Sequence, residues 1–171
     1  DGIRDYKVTE VQTCALPIFY AQQGVSIGAD DTAGSLRTRL VEVGTALLVE
    51  TLPSVAGRVP TPQHGDATYA SKLSVEEFRL DPSCSATELA LRVRAANPRP
   101  GAWVTIGGKR LKVLAATALD AVVERGHVNR DCLLGCAQGA LRLETVQPDG
   151  KQPMTAAAWI AGRRDEVVLD D

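Results

Sequence analysis

The residues able to do chemistry in this chain are concentrated in one stretch. Arg92, Arg94, Arg99, Lys109, Arg110 and Lys112 all fall within RVRAANPRPGAWVTIGGKRLKV, and no Asp or Glu occurs from Leu89 to Leu119. The chain as a whole carries a net charge of only −2, so the concentration is local. Guanidinium and ammonium groups without neighbouring acids form the charge pattern of a surface that meets a polyanion, most often nucleic acid. The same pattern also describes a solvated basic face with no partner. Lys151, just after Gly150, adds a plausible phosphate contact on a loop. Metal chemistry finds no support. His64 and His127 stand alone, and Cys132 and Cys136 lack a second pair of ligands. The cysteines read as small buried or loop residues of a reducing compartment.

The elements that must position these cations follow from local pattern. Ser85-Ala86-Thr87-Glu88 is a capping box. It opens a helix whose inner stripe is Leu89, Val93 and Ala96, and Pro98 stops that helix at Asn97. Ala102 to Ile106 and Lys109 to Ala118 alternate as two strands around Gly107-Gly108. A two-residue turn sets Val104 opposite Leu111 and Ala102 opposite Val113 as the apolar face. On the other face Trp103 then meets Lys112 and Thr105 meets Arg110. An aromatic between cations suits base stacking, but a Trp in a small barrel is more often part of the core. A second strand pair is expected at Leu133 to Cys136 and Ala140 to Val146. Thr155 caps a last helix, with Met154 and Trp159 as a hydrophobic staple and Gly162 as the stop. Short strands with helices at both ends predict an α+β unit over residues 84–165, a small, partly open β-barrel of the oligonucleotide-binding type. Residues 166–171 read as a tail.

Upstream the pattern changes. Residues 19–57 open extended and turn helical, with Asp31 or Thr32 as the cap and Leu36, Leu40, Val43 and Leu47 on one face. Pro53 is expected to end or kink the second part of two short helices. Such helices cannot bury that face alone, so their partner is expected elsewhere. Residues 58–83 are rich in Pro, Gly and small polar residues and read as a linker holding one short turn, capped by Ser74 with Glu77 and ended by Pro82. No apolar run approaches the ~20 residues that span a bilayer, so no membrane partner is expected. Residues 1–18 match the translation of a short-read sequencing adapter. The match runs from Val8 through Ile18, with Glu10 where Gly is expected, and this stretch is set aside from fold reasoning.

The order of motifs from about Ala21 to Arg164 resembles the C-terminal half of methionyl-tRNA formyltransferase. The matching pieces are DDTAGSLRTRLVEVGTALLVETL, TYASKLSVEEFRLD, VRAANPRPGAW, GKRLKV, GALRLETVQPDGKQPM and TAAAWIAGRR. The resemblance implies a C-terminal barrel that helps grip initiator methionyl-tRNA, preceded by helices left over from a truncated α/β formyltransferase domain. It also implies an intact enzyme of the cytoplasm that moves a formyl group from 10-formyltetrahydrofolate onto the methionine amine. The family's catalytic asparagine, histidine and aspartate lie upstream of Phe19. This chain is therefore expected to be inactive alone, to bind no cofactor or metal, and to be a monomer. Where the family has an aromatic after "ID" this chain has Pro82. Its aromatics around "NPWP" are Ala96 and Arg99 here, and the second lysine of "GKKPM" is Gln152. The alternatives are a fragment of a related sugar-nucleotide or folate formyltransferase, and a free-standing oligonucleotide-binding module.

Overall fold

The computed structural model describes residues 18–65, 71–163 and 167–170. The described residues divide into two compact units, one of residues 18–26 with 37–65 and 71, the other of residues 27–36 with 72–163 and 167–170. Of the stretch set aside above, residues 1–17 lie outside the described residues. Ile18, the one residue of it that is described, is 53% exposed.

In the first unit, strand β1 (Ile18–Phe19) pairs antiparallel with β2 (Thr61–Pro62). Helix α1 (Ala33–Thr51) supplies the rest, and its first turn belongs to the other unit. Thr32 caps it: its Oγ1 accepts from the Ser35 amide at 3.1 Å, and the Ser35 hydroxyl accepts from the Thr32 amide at 3.0 Å. The helix does not break into two. It passes directly into a 3₁₀ turn, Leu52–Gly57, with Pro53 in the first turn, where a residue without an N–H costs no helical hydrogen bond. Among the described residues of α1 only Thr51 is buried, while Leu40, Val41, Leu48 and Val49 are exposed. By length and composition alone Ala33–Gly57 would suffice to cross a membrane, its most apolar window having a mean hydropathy of 1.3.

The second unit has the expected α+β character. Helix α2 (Ala86–Ala96) carries the complete capping box between Ser85 and Glu88 and buries Leu89, Val93 and Ala96. Strands β3 (Ala102–Ile106) and β4 (Lys109–Leu119) pair in the predicted register, with Val104 against Leu111 and Trp103 against Lys112. The remaining strands are β5 (His127–Val128), β6 (Leu133–Gly135), β7 (Ala140–Pro148), β8 (Met154–Thr155) and β9 (Val167–Val168). All pair antiparallel in the order β3-β4-β7-β6-β5-β9, with β8 on β7. Near Ala115 the β4–β7 register shifts, and a bulge of that kind bends a long strand around a core. The two ends of the path meet, because the Asp170 amide donates to the Thr105 carbonyl at 2.9 Å. Leu89, Val113, Leu134, Leu141, Val146 and Val167 fill the inside. Helix α3 (Ala156–Ala161) is capped by the Thr155 hydroxyl and ends at Gly162, as expected.

Two boundaries differ from expectation. The linker does not reach residue 83: Phe78 and Leu80 are 5% and 2% exposed, and the Leu80 amide bonds the Trp103 carbonyl at 2.8 Å. Of the box at Ser74 the structure keeps the Ser74 amide on the Glu77 carboxylate at 2.7 Å. The segment it introduces is a 3₁₀ turn of three residues, Glu76–Phe78. Residues 167–170 are not a tail. Val167 is 2% exposed and β9 pairs with β5.

Candidate nucleic-acid interface

The cations that are consecutive in the sequence separate into three surroundings. Arg92, half-buried on α2, is taken up internally: its Nη1 donates to the Arg79 carbonyl at 3.0 Å. Its charge and that of Arg79 also act on Asp81, whose carboxyl is held below its ordinary value chiefly by the hydrogen bond from Ser83. Arg94 and Arg99 sit at and beyond the C-terminal end of α2, where cations complement the helix dipole. Lys112 lays its stem over Gly101, where an added Cβ would come within 3.3 Å of the lysine Cδ.

The third surrounding is a groove of about 490 Å³ lined by Lys109, Arg110, Lys151 and Arg163. Its apolar floor includes Ile106, Leu111, Met154 and Trp159, and Asp149 is the one acid among its described lining residues. Three separate elements deliver these cations: the start of β4, the β7–β8 loop and the exit of α3. The loop is held by the Lys151 amide on the Pro148 carbonyl at 3.0 Å and by the Gln147 side-chain amide on the Lys151 carbonyl at 2.8 Å. Among the described residues the ammonium groups of Lys109 and Lys151 have no hydrogen-bond or ion-pair partner. Arg163 lies over the Trp159 ring at 4.7 Å. Sequence reasoning did not assign it a site role, because it lies beyond the Gly162 stop of the last helix.

Arg110 and Trp103 behave differently from the stacking surface that the hairpin alone suggests. Trp103 is 6% exposed and its indole N–H donates to the Val75 carbonyl at 3.0 Å. The Arg110 guanidinium covers the ring at 4.0 Å and pairs with Glu76 at 2.8 Å. The segment expected to be a linker thus covers the second face of β3, and no ring face remains for a base. Arg110 borders the groove with its charge already partnered. Arg79 adds a longer contact to the same ring at 6.0 Å and was likewise not singled out from sequence.

Neither histidine joins a cluster. His127 pairs at 3.6 Å with Glu124, and His64 is exposed. Burial raises the thiol of Cys136 above its ordinary value, which opposes a nucleophilic role. Among the described residues no group of three or more His, Cys, Asp or Glu is arranged to hold a metal ion.

Residues 72–164 match the family described as "Formyl transferase, C-terminal domain". The chain is 36% identical over 140 residues to a methionyl-tRNA formyltransferase of Jannaschia sp. (strain CCS1), covering 81% of this chain and 46% of that protein. It is 42% identical over 153 residues to one of Mycobacterium sp. (strain KMS), covering 81% and 47%. The chain thus spans about half the length of the curated relatives it matches. Among solved structures a variant of HypX from Aquifex aeolicus superposes with a TM-score of 0.66 at 20% identity, over 84% of this chain and 28% of that one. HypX in complex with tetrahydrofolic acid gives 0.62 at 18%, over 87% and 30%. These two likenesses concern the fold.

Proposed function

The chain belongs to the formyl transferase C-terminal domain family, and from that premise we propose that it is the tRNA-gripping half of a methionyl-tRNA formyltransferase. The observation that carries this reading is the convergence of Lys109, Lys151 and Arg163, from three elements, on one groove. Fixed cations facing one another bind phosphates by releasing counterions, and they grip the backbone without reading bases. The meeting of the two sheet ends at Thr105 and Asp170 supports a partly open barrel of the oligonucleotide-binding type. Arg94, Arg99 and Lys112 extend the contact as a second patch, whereas Arg92 and Arg110 contribute less because their charges are engaged within the protein. The partner is initiator methionyl-tRNA. Transfer of formyl from 10-formyltetrahydrofolate belongs to the other half of the enzyme, since acyl transfer needs a base and oxyanion stabilisation that no cluster described above supplies. The setting is cytoplasmic translation initiation, with the chain a monomer and no membrane or metal involved.

The test measures tRNA binding across a salt series. Lys109→Ala with Lys151→Ala should weaken binding to initiator and elongator tRNA alike and flatten the salt slope by about one to two units. Unchanged affinity and slope would reduce the groove to a solvated face. Competition by a sugar nucleotide in place of tRNA would favour the related formyltransferase reading. The chain alone should show no formyl transfer to methionyl-tRNA, and turnover at the rate of an intact enzyme would overturn that part.

A further inference from the structure

The tip of the β3–β4 hairpin holds an anion, and the anion is the protein's own. Gly107 and Gly108 have φ of 57° and 71°, a conformation that glycine adopts without steric cost. Two successive residues of this kind turn consecutive N–H groups toward one side, forming a small concavity for an oxyanion. The Gly107 amide donates to Asp170 Oδ1 at 2.9 Å and the Gly108 amide to Oδ2 at 2.7 Å. Each amide therefore takes its own oxygen of one carboxylate, the fork that two non-bridging oxygens of a phosphate also offer. A Cβ built on either glycine meets nothing within 4 Å, so the side-chain face of the turn is uncovered.

Asp170 reaches this turn on a strap that is anchored without its side chain. Val167 is buried, β9 pairs with β5, the Asp170 amide bonds the Thr105 carbonyl, and Arg79 Nη2 donates to the Asp170 carbonyl at 3.2 Å. The carboxylate can leave the amides while these contacts keep the strap in place. The same hairpin shows a second substitution of the kind, since the Arg110 guanidinium is met by Glu76. Lys109, which follows the turn, lines the cationic groove.

We propose that the amides of Gly107 and Gly108 form a phosphate site at the edge of that groove, which Asp170 fills until a phosphate displaces it. The proposal rests on the tRNA reading only for the source of the phosphate. Glycine amides in nitrogen-labelled protein are followed by NMR while inorganic phosphate is added, in the wild-type chain and in Asp170→Asn. The two amides should move in both, with half-saturation at about tenfold lower phosphate in the variant, because an internal competitor reduces apparent affinity by the fraction of sites it leaves open. The wild-type titration stands even where the variant fails to fold. Amides that stay still in the wild type up to high phosphate, or equal sensitivity in a folded variant, overturn the proposal. A parallel titration with tRNA separates the sources. Movement with both ligands identifies a nucleic-acid phosphodiester, and movement with phosphate alone keeps the site and assigns it to a free anion, whatever becomes of the tRNA reading.

Discussion

Helices α1 and α2 begin alike and end differently. Each opens on a hydroxyl cap with a reciprocal bond, Thr32 with Ser35 and Ser85 with Glu88. Each carries apolar residues at three- and four-residue spacing. Yet α2 buries Leu89, Val93 and Ala96 completely, while α1 leaves Leu40, Val41, Leu48 and Val49 in the open. The difference is the sheet: α2 packs on β3, β4 and β7 of the curled antiparallel sheet, whereas among the described residues the first unit holds only the two-stranded β1–β2 ladder. Capping and periodicity make a helix possible, and burial against a second layer makes it stable.

The largest effect should come from emptying the α2 side of that comparison. Leu89→Ala should cost about 2–5 kcal/mol in urea unfolding, with Leu48→Ala within about 0.5 kcal/mol of wild type. Equal losses at the two leucines would break the contrast. Next come two glycines of α1. A Cβ on Gly34 would stand 2.6 Å from Pro98 Cδ, and the Gly34 amide bonds the Asn97 carbonyl at 2.9 Å. Gly34→Ala should therefore destabilise the second unit by about 1–3 kcal/mol, as overpacking does. Gly44, mid-helix with nothing near its Cβ position, should gain about 0.5–1 kcal/mol when replaced by Ala. Thermal unfolding of the two variants should shift in opposite directions, and shifts of one sign would put the start and the middle of α1 in the same environment.

Removing the α2 cap is a smaller change. Ser85→Ala should cost about 1 kcal/mol at neutral pH. The hydrogen bonds from Ser85 hold the Glu88 carboxyl below its ordinary 4.5. A lowered native value stabilises the fold above 4.5, and that contribution drains as pH falls through the native value. Urea midpoints in a descending pH series should show wild type losing its advantage over Ser85→Ala in that window. An advantage that persists at the acid end would dissociate the cap from the carboxylate. The smallest effect belongs to Arg110→Ala, which removes one ring contact and one exposed ion pair, about 0.5–1 kcal/mol together. It should also weaken tRNA binding less than the Lys109 and Lys151 pair does. A larger effect on binding than on stability would show that Glu76 yields Arg110 to phosphate.

What the sequence determined by itself is local. Two glycines between alternating strands fix the register that sets Val104 on Leu111 and Trp103 on Lys112, because side chains alternate with period two and the turn allows one pairing. Ser85 with Glu88 starts α2, and Pro98 stops it. The motifs that resemble the formyltransferase family were legible for the same reason, being short and contiguous. What tertiary structure decided was which face of each element is covered, and by what. For Trp103 the core reading was already the commoner one, but what covers it was not legible: residues 75–80, expected to be linker, pack there, with the indole N–H on the Val75 carbonyl. Strands β5 and β9 have two residues each, too few to show a period. The groove joins Lys109, Lys151 and Arg163, and the hairpin tip joins Gly107 to Asp170. Each brings together residues about 40 to 60 positions apart. Charges so distant in sequence meet only when a core closes between them, and that closure depends on packing that no local pattern records.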